Sequence, residues 1–200
     1  MKIQNSQIKR FIEEPIFKFN IILIYGNAPG QIRYNKNYLI NSLGKENLRE
    51  EMRLVEFTEK EILRDGNKIQ NELEITSFFS GPKIIVIENV TDKLKNTIYT
   101  VLNTNLVQGE MFLILVSENL TPQSSLRKLI EEDKKKAVSI AFYKKTLKEV
   151  EIKKLLDEKN LKISENSCIS YLKEISDGGD DTEFERTLEK LELAFLGKSS

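Results

Sequence analysis

Ile21-Ile22-Leu23-Ile24-Tyr25-Gly26-Asn27-Ala28-Pro29-Gly30 is the stretch whose reading decides the fold. Its first five residues are continuously apolar or aromatic, as suits a strand covered on both faces by helices. A glycine turn and a helix from about Gln31 follow, and strand, glycine turn and helix in that order are the architecture of a phosphate-binding loop. Ile84-Ile85-Val86-Ile87 repeats the continuous apolar pattern. In all, five segments rich in β-branched or aromatic residues predict strands: Ile21 to Tyr25, Arg53 to Phe57, Lys83 to Val90, Met111 to Ser117 and Ala137 to Tyr143.

Helical spacing lies between them. Leu94, Ile98 and Leu102 recur every fourth residue behind a cap expected at Asp92. Leu126, Leu129 and Ile130 follow Thr121-Pro122, with threonine suited to the cap and proline to the first turn. Alternating strands and helices predict an α/β fold over residues 1–143, with a doubly wound, mostly parallel five-stranded sheet.

After Tyr143 the strand signals stop. Thr146 with Glu149 and Thr182 with Glu185 each fit a capping box. Phe184, Leu188, Leu191 and Phe195 form one helical stripe, and Leu147, Val150 and Leu155 another. Between them Ser164 is suited to cap a helix carrying Cys168, Leu172 and Ile175 that ends at Asp177-Gly178-Gly179. Residues 144–200 therefore read as a small three-helix domain.

Composition narrows the function classes. The 31 basic and 31 acidic residues balance, and neither half is a basic module, so no overall field draws the chain to nucleic acid or an anionic membrane. The run Lys134-Lys135-Lys136 behind Glu131-Glu132-Asp133 reads as a solvated helix end. With no histidine, Ser-His, Cys-His and His-metal chemistry are all excluded. Cys168, the single cysteine, can form neither an internal disulfide nor a multi-cysteine zinc site and reads as a small buried residue. No signal-peptide pattern and no apolar run of about 20 residues is present, so a cytoplasmic protein without membrane attachment is expected.

The side chains that nucleotide chemistry needs are missing. Counted from Gly26, the phosphate-loop spacing requires glycine, lysine and a hydroxyl where Gln31, Ile32 and Arg33 stand. No lysine can neutralise the β- and γ-phosphates, and no hydroxyl can hold magnesium. Glu88-Asn89 after the central apolar strand offers one carboxylate where an ATPase places an acidic pair. Gly26 and Gly30 accordingly read as a tight strand-to-helix turn, a degenerate phosphate loop with no nucleotide or other cofactor. Glu88 with Glu118 or Asp92 has no spacing signature of an acid and base pair, and carboxylates after strands are commonly helix caps.

Ser77-Phe78-Phe79-Ser80-Gly81-Pro82 stands apart. It lies between an amphipathic segment containing Ile69 and Leu73 and the strand from Lys83. Adjacent positions on a helix are about 100° apart, so two neighbouring aromatics at a helix end point in different directions. The residues alone leave two readings open, core packing of both rings or an exposed aromatic anchor for a partner's pocket.

Six stretches in this order resemble the bacterial DNA polymerase III delta subunit family, with closest flavour to its alphaproteobacterial forms. They are Ile22-Leu23-Ile24-Tyr25-Gly26, Ser77-Phe78-Phe79-Ser80-Gly81, Lys83 to Glu88 with Asn89-Val90-Thr91-Asp92-Lys93, Ser124-Ser125-Leu126-Arg127-Lys128, Ala141-Phe142-Tyr143, and Leu188-Glu189-Lys190-Leu191-Glu192-Leu193. The resemblance implies an AAA+-like core over 1–143 and a three-helix lid over 144–200, without the helical collar domain of whole family members. It implies a clamp-loader subunit of a DNA-directed DNA polymerase (nucleotidyltransferase) holoenzyme, with no activity of its own and no cofactor. By the same resemblance Phe78 and Phe79, with Ser77, bind and open the sliding (beta) clamp for loading onto DNA. Family members more often carry leucine before phenylalanine. Sibling gamma/tau and delta prime subunits carry a four-cysteine zinc cluster and a serine-arginine-cysteine motif. This chain has one cysteine and Ser125-Leu126-Arg127 in that place. Those siblings are partners where a collar domain is present, and primed DNA is reached through the assembled loader. The alternatives are a P-loop NTPase with a degenerate site and an unrelated protein-interaction or DNA-binding module.

Overall fold

The computed structural model describes residues 1–3, 7–8, 10–11, 19–44, 48–75, 81–104, 109–144, 147–159, 161, 166–178 and 181–196. Two compact units make up the chain, Met1–Asn27 with Ile32–Phe142 and Ala28–Gln31 with Tyr143–Ser200.

The first unit holds five strands: β1 (Ile21–Gly26), β2 (Leu54–Thr58), β3 (Lys83–Glu88), β4 (Met111–Val116) and β5 (Ala137–Phe142). Every pairing is parallel and the order is β2-β3-β4-β1-β5. The fold class is thus the α/β, doubly wound sheet that the apolar runs imply. Every residue of β1 and β5 is buried, which is why these strands show no polar alternation. Ile21, Leu23 and Tyr25 pack in one cluster with Ile85, Ile87, Leu113, Leu115 and Ile98. Each such side chain taken out of water contributes roughly 1.5–3 kcal/mol. β5 is last in the order, and its edge is bridged at Ser139. The Ile3 amide donates to the Ser139 carbonyl and the Ser139 amide to that of Met1, so the first residues hide a pairing edge that would otherwise be open.

The helices of this unit are α1 (Pro29–Gly44), α2 (Glu59–Arg64), α3 (Asn67–Glu74), α4 (Lys95–Asn103), preceded by a 3-10 turn at Asp92–Leu94, and α5 (Ser125–Glu132). α1 starts two residues before the expected Gln31, because Pro29 suits the first helical position, where no amide bond is lost. Two caps also differ from expectation. Thr91, not Asp92, caps the turn before α4, its hydroxyl accepting from the Lys93 amide. Ser124, not Thr121, caps α5, while Thr121 closes a turn by accepting from the Ser124 amide.

The helical unit contains α6 (Glu149–Glu158), α7 (Asn166–Gly178) and α8 (Asp181–Leu196). Ile152, Leu156, Leu161, Ile169, Leu172, Ile175, Phe184 and Leu188 form its core, with Leu147, Leu155, Cys168 and Leu191 packed against it. Val150, expected on the inner stripe, is 76% exposed. Two residues from Ile152, it is turned about 200° away around the helix. Thr146 and Ser164 lie outside the described residues, whereas Thr182 lies within α8 and not ahead of it as a cap. The Glu151 carboxylate accepts from the Lys148 amide at the start of α6.

Candidate functional site

In an open parallel sheet the place to look for a ligand is the carboxyl ends of the strands. β1 ends at Gly26, whose φ of 145° is closed to residues with a side chain. A Cβ there would stand 1.8 Å from the Phe142 carbonyl oxygen, and the next amide, Asn27, donates to that same oxygen at 3.1 Å. Gly26 is therefore explained by contact between β1 and β5. Gly30 lies in the first turn of α1.

Three carboxylates at this edge, Glu88, Glu59 and Asp92, are engaged with the protein itself, while Glu118 after β4 is exposed. Lys36 of α1 donates to Glu88 at 2.7 Å. Glu59 accepts from both the amide and the hydroxyl of Thr91 at 2.7 Å, tying α2 to the loop after β3. Asp92 accepts from the Ser124 hydroxyl at 2.6 Å and the Leu126 amide at 2.9 Å. These bonds, the Ser124 hydroxyl first and then the Leu126 amide, hold the Asp92 carboxyl below the usual carboxylate range. Glu61 completes a capping box with Thr58, and the Thr58 amide and hydroxyl lower it in turn. Negative charge at the positive ends of α2 and α5 comes from the chain's own side chains. Arg127 is turned inward as well. It lies over the Tyr25 ring at 5.0 Å and donates to Glu131 at 2.9 Å and to the Leu120 carbonyl at 3.1 Å. Among the described residues no group of acids and cysteine could hold a metal ion.

The residues singled out for partner binding, Ser77, Phe78 and Phe79, lie outside the described residues. The structure does show how the chain enters and leaves that segment. α3 ends at Glu74, and Ile75 after it is 55% exposed. Lys83, the first residue of β3, is 4% exposed. Its ammonium meets the Glu72 carboxylate at 2.6 Å, the Glu72 carbonyl at 2.8 Å and the Ile75 carbonyl at 3.5 Å. A cation thus neutralises the negative end of α3. On the far side Gly81 has a φ of 118°, and a Cβ on it would stand 2.9 Å from Nη1 of Arg53. Arg53, 5% exposed, donates to the Pro82 carbonyl at 3.1 Å and the Gly44 carbonyl at 3.3 Å, and its Nε meets Glu51 at 2.6 Å.

Sequence reasoning missed these two cations. The signal was available, since a basic residue stands at the head of three strand runs, in Arg53-Leu54-Val55, Lys83-Ile84-Ile85 and Lys136-Ala137-Val138. Lys136 behaves likewise, donating to the Leu102 and Thr104 carbonyls at the end of α4, both at 2.9 Å. It is not simply the solvated end of a charge run.

A family model described as DNA polymerase III, delta subunit, matches residues 22–143. The Bacillus subtilis DNA clamp loader delta protein is similar in fold at 12% identity, with a TM-score of 0.58, covering 96% of this chain and 57% of that one. The chain therefore spans a little over half the length of that relative. AMPPCP-bound DnaA from Aquifex aeolicus aligns at 18% identity with a TM-score of 0.46, over 96% of this chain and 63% of the other. A gamma subunit-related protein from Thermotoga maritima aligns at 16% identity and 0.47, over 80% and 53%. No curated protein sequence matches the chain.

Proposed function

The chain belongs to the DNA polymerase III delta subunit family, and from that premise we propose that it is a non-catalytic clamp-loader subunit in DNA replication. In this reading it binds and opens the sliding beta clamp for loading onto primed DNA, and gamma/tau and delta prime subunits are its companions in the loader. The observation that carries the reading is the family match over 22–143, which runs from the second residue of β1 past the end of β5.

Phe78 and Phe79, with Ser77, supply the clamp contact. Support comes from their place in the family pattern and from the described flanks. An exposed isoleucine, Ile75, follows α3, and on the other side the buried Arg53 lies against Gly81 and donates to the Pro82 carbonyl. At the edge that would cradle a nucleotide, Glu88, Glu59 and Asp92 are engaged by Lys36, Thr91 and Ser124, which favours a binding role over hydrolysis. No described helix is long and apolar enough to cross a membrane, in keeping with a place in the cytoplasm.

The test is the affinity for the cognate clamp of the variant carrying both Phe78→Ala and Phe79→Ala. Two buried phenylalanines at roughly 1.5–3 kcal/mol each correspond to a loss of about a hundredfold or more, with the thermal midpoint nearly unmoved. Unchanged affinity with a large loss of stability would make both rings core residues and place the contact elsewhere.

A further inference from the structure

The outer face of α1 is not explained by the core. Its buried residues are Ile32, Leu39, Ile40, Leu43 and Gly44, so Tyr34, Asn37, Tyr38 and Asn41, spaced three and four residues apart, form an exposed stripe away from them. Tyr34 is 69% exposed and Tyr38 42%. Their rings are stacked, with centroids 6.4 Å apart and planes at 27°, inside the range where aromatic faces attract. Such a pair adds little to a helix that already has a buried face. Two flat rings kept in water therefore point to a ligand.

Two observations identify its class. The companions of the rings are amides, since both other members of the stripe are asparagine, whereas a protein partner's pocket is served by an apolar centre. The second observation is charge. The chain as a whole has 31 basic and 31 acidic residues, yet between Glu14 and Glu46 it carries no carboxylate and four cations, Lys18, Arg33, Lys36 and Lys45. Within α1 these are Arg33 and Lys36. Lys36 is engaged by Glu88 at 2.7 Å, which leaves Arg33, exposed beside Tyr34, as the cation of this face. Stacked aromatic faces, amides and a guanidinium, with no negative charge among them, are the components that grip single-stranded nucleic acid. A duplex keeps its base faces covered and offers nothing to such rings.

We propose that the outer face of α1 binds single-stranded DNA, with Tyr34 and Tyr38 as the platform on which bases stack and Arg33 on the phosphate backbone. The choice of DNA over RNA rests on the replication role given above, while the site itself is independent of the clamp contact.

The experiment titrates the full chain into fluorescein-labelled oligo-dT of about 15 nucleotides and follows anisotropy at several salt concentrations. Affinity for the cognate clamp and the thermal midpoint are measured on the same samples. Tyr34→Ala with Tyr38→Ala is expected to weaken oligo-dT binding about tenfold or more. Tyr34→Phe with Tyr38→Phe keeps both ring faces and is expected to bind as the parent does. Arg33→Gln is expected to flatten the dependence of log affinity on log salt by about 0.7, the value for one phosphate contact on a single strand. Tyr99→Ala is the control, a tyrosine 57% exposed on another helix, α4, and is expected to change nothing. Should the alanine pair lower the thermal midpoint, Arg33→Gln and its salt slope decide.

The stacking site is overturned if the parent does not bind oligo-dT, if the double alanine variant binds as tightly as the parent, or if the phenylalanine variant loses as much as the alanine one. A duplex bound as tightly as the single strand would overturn it too. Tighter binding of oligo-U than of oligo-dT would sink the assignment to DNA. A double alanine variant that loses the clamp and keeps the oligonucleotide would make this face a protein contact, and the inference would fall while the clamp-loader reading stood. A chain that binds oligo-dT through these tyrosines and no clamp would leave the site standing and refute the clamp reading alone.

Discussion

Lys36 Nζ and the Glu88 carboxylate are 2.7 Å apart, so the carboxylate that ends β3 is paired with a cation of the first helix. The side chains are 14% and 31% exposed, and a pair this close to water contributes about 1 kcal/mol or less. Glu88→Gln should therefore shift the denaturant midpoint only slightly, and phosphate release from ATP should be indistinguishable from buffer in both forms. Turnover in the parent that disappears on Glu88→Gln would refute this.

Gly26 and Gly109 separate two costs of adding a side chain. Both have positive φ, 145° and 79°, but a Cβ on Gly109 meets nothing within 4 Å, whereas on Gly26 it meets the Phe142 carbonyl at 1.8 Å. Gly109→Ala should cost about 1–2 kcal/mol from backbone strain alone. Gly26→Ala, which adds displacement of β5, should cost about 3 kcal/mol or more. Urea unfolding of the two variants checks the order.

Asp92 gives the fold an acid-sensitive joint. Its folded carboxyl lies below the usual range because Ser124 and Leu126 donate to it. Its contribution is thus complete above the unfolded pKa of about 4 and is lost as pH falls through the lower folded value. Asp92→Ala should cost about 1 kcal/mol at pH 7, and the gap between variant and parent should close below about pH 4. A gap that stays constant from pH 7 to pH 3 would show that the carboxylate's charge is immaterial.

Ile75 lies 55% exposed beside the end of α3, where core packing gives no reason for it. If the clamp contact extends onto it, Ile75→Ser should weaken the clamp complex about fivefold, from burial of part of one apolar side chain, and leave the thermal midpoint unchanged. Titration calorimetry with the cognate clamp reads both the affinity and its heat-capacity signature.

The sheet was legible because β1, β3 and β5 are apolar at almost every position, and no amphipathic helix tolerates that pattern. The caps were less so. Asp92 was read as guarding its own helix, yet its carboxylate reaches residues 32 and 34 positions away. A short acidic side chain after a strand signals a helix start without saying which one. Lys83 and Arg53 were less legible for a similar reason, since beside Glu72 and Glu51 their partners are carbonyls, which every residue has. Val150 misled because three apolar residues at approximate helical spacing do not fix where the helix begins. The Phe78-Phe79 pair is conspicuous in sequence through adjacency alone, and it lies outside the described residues.

Lys83 opens β3 and also closes α3, so one ammonium serves the start of a strand and the end of a helix. A substitution there cannot loosen one of the two and spare the other, which makes them a single cooperative unit in local unfolding.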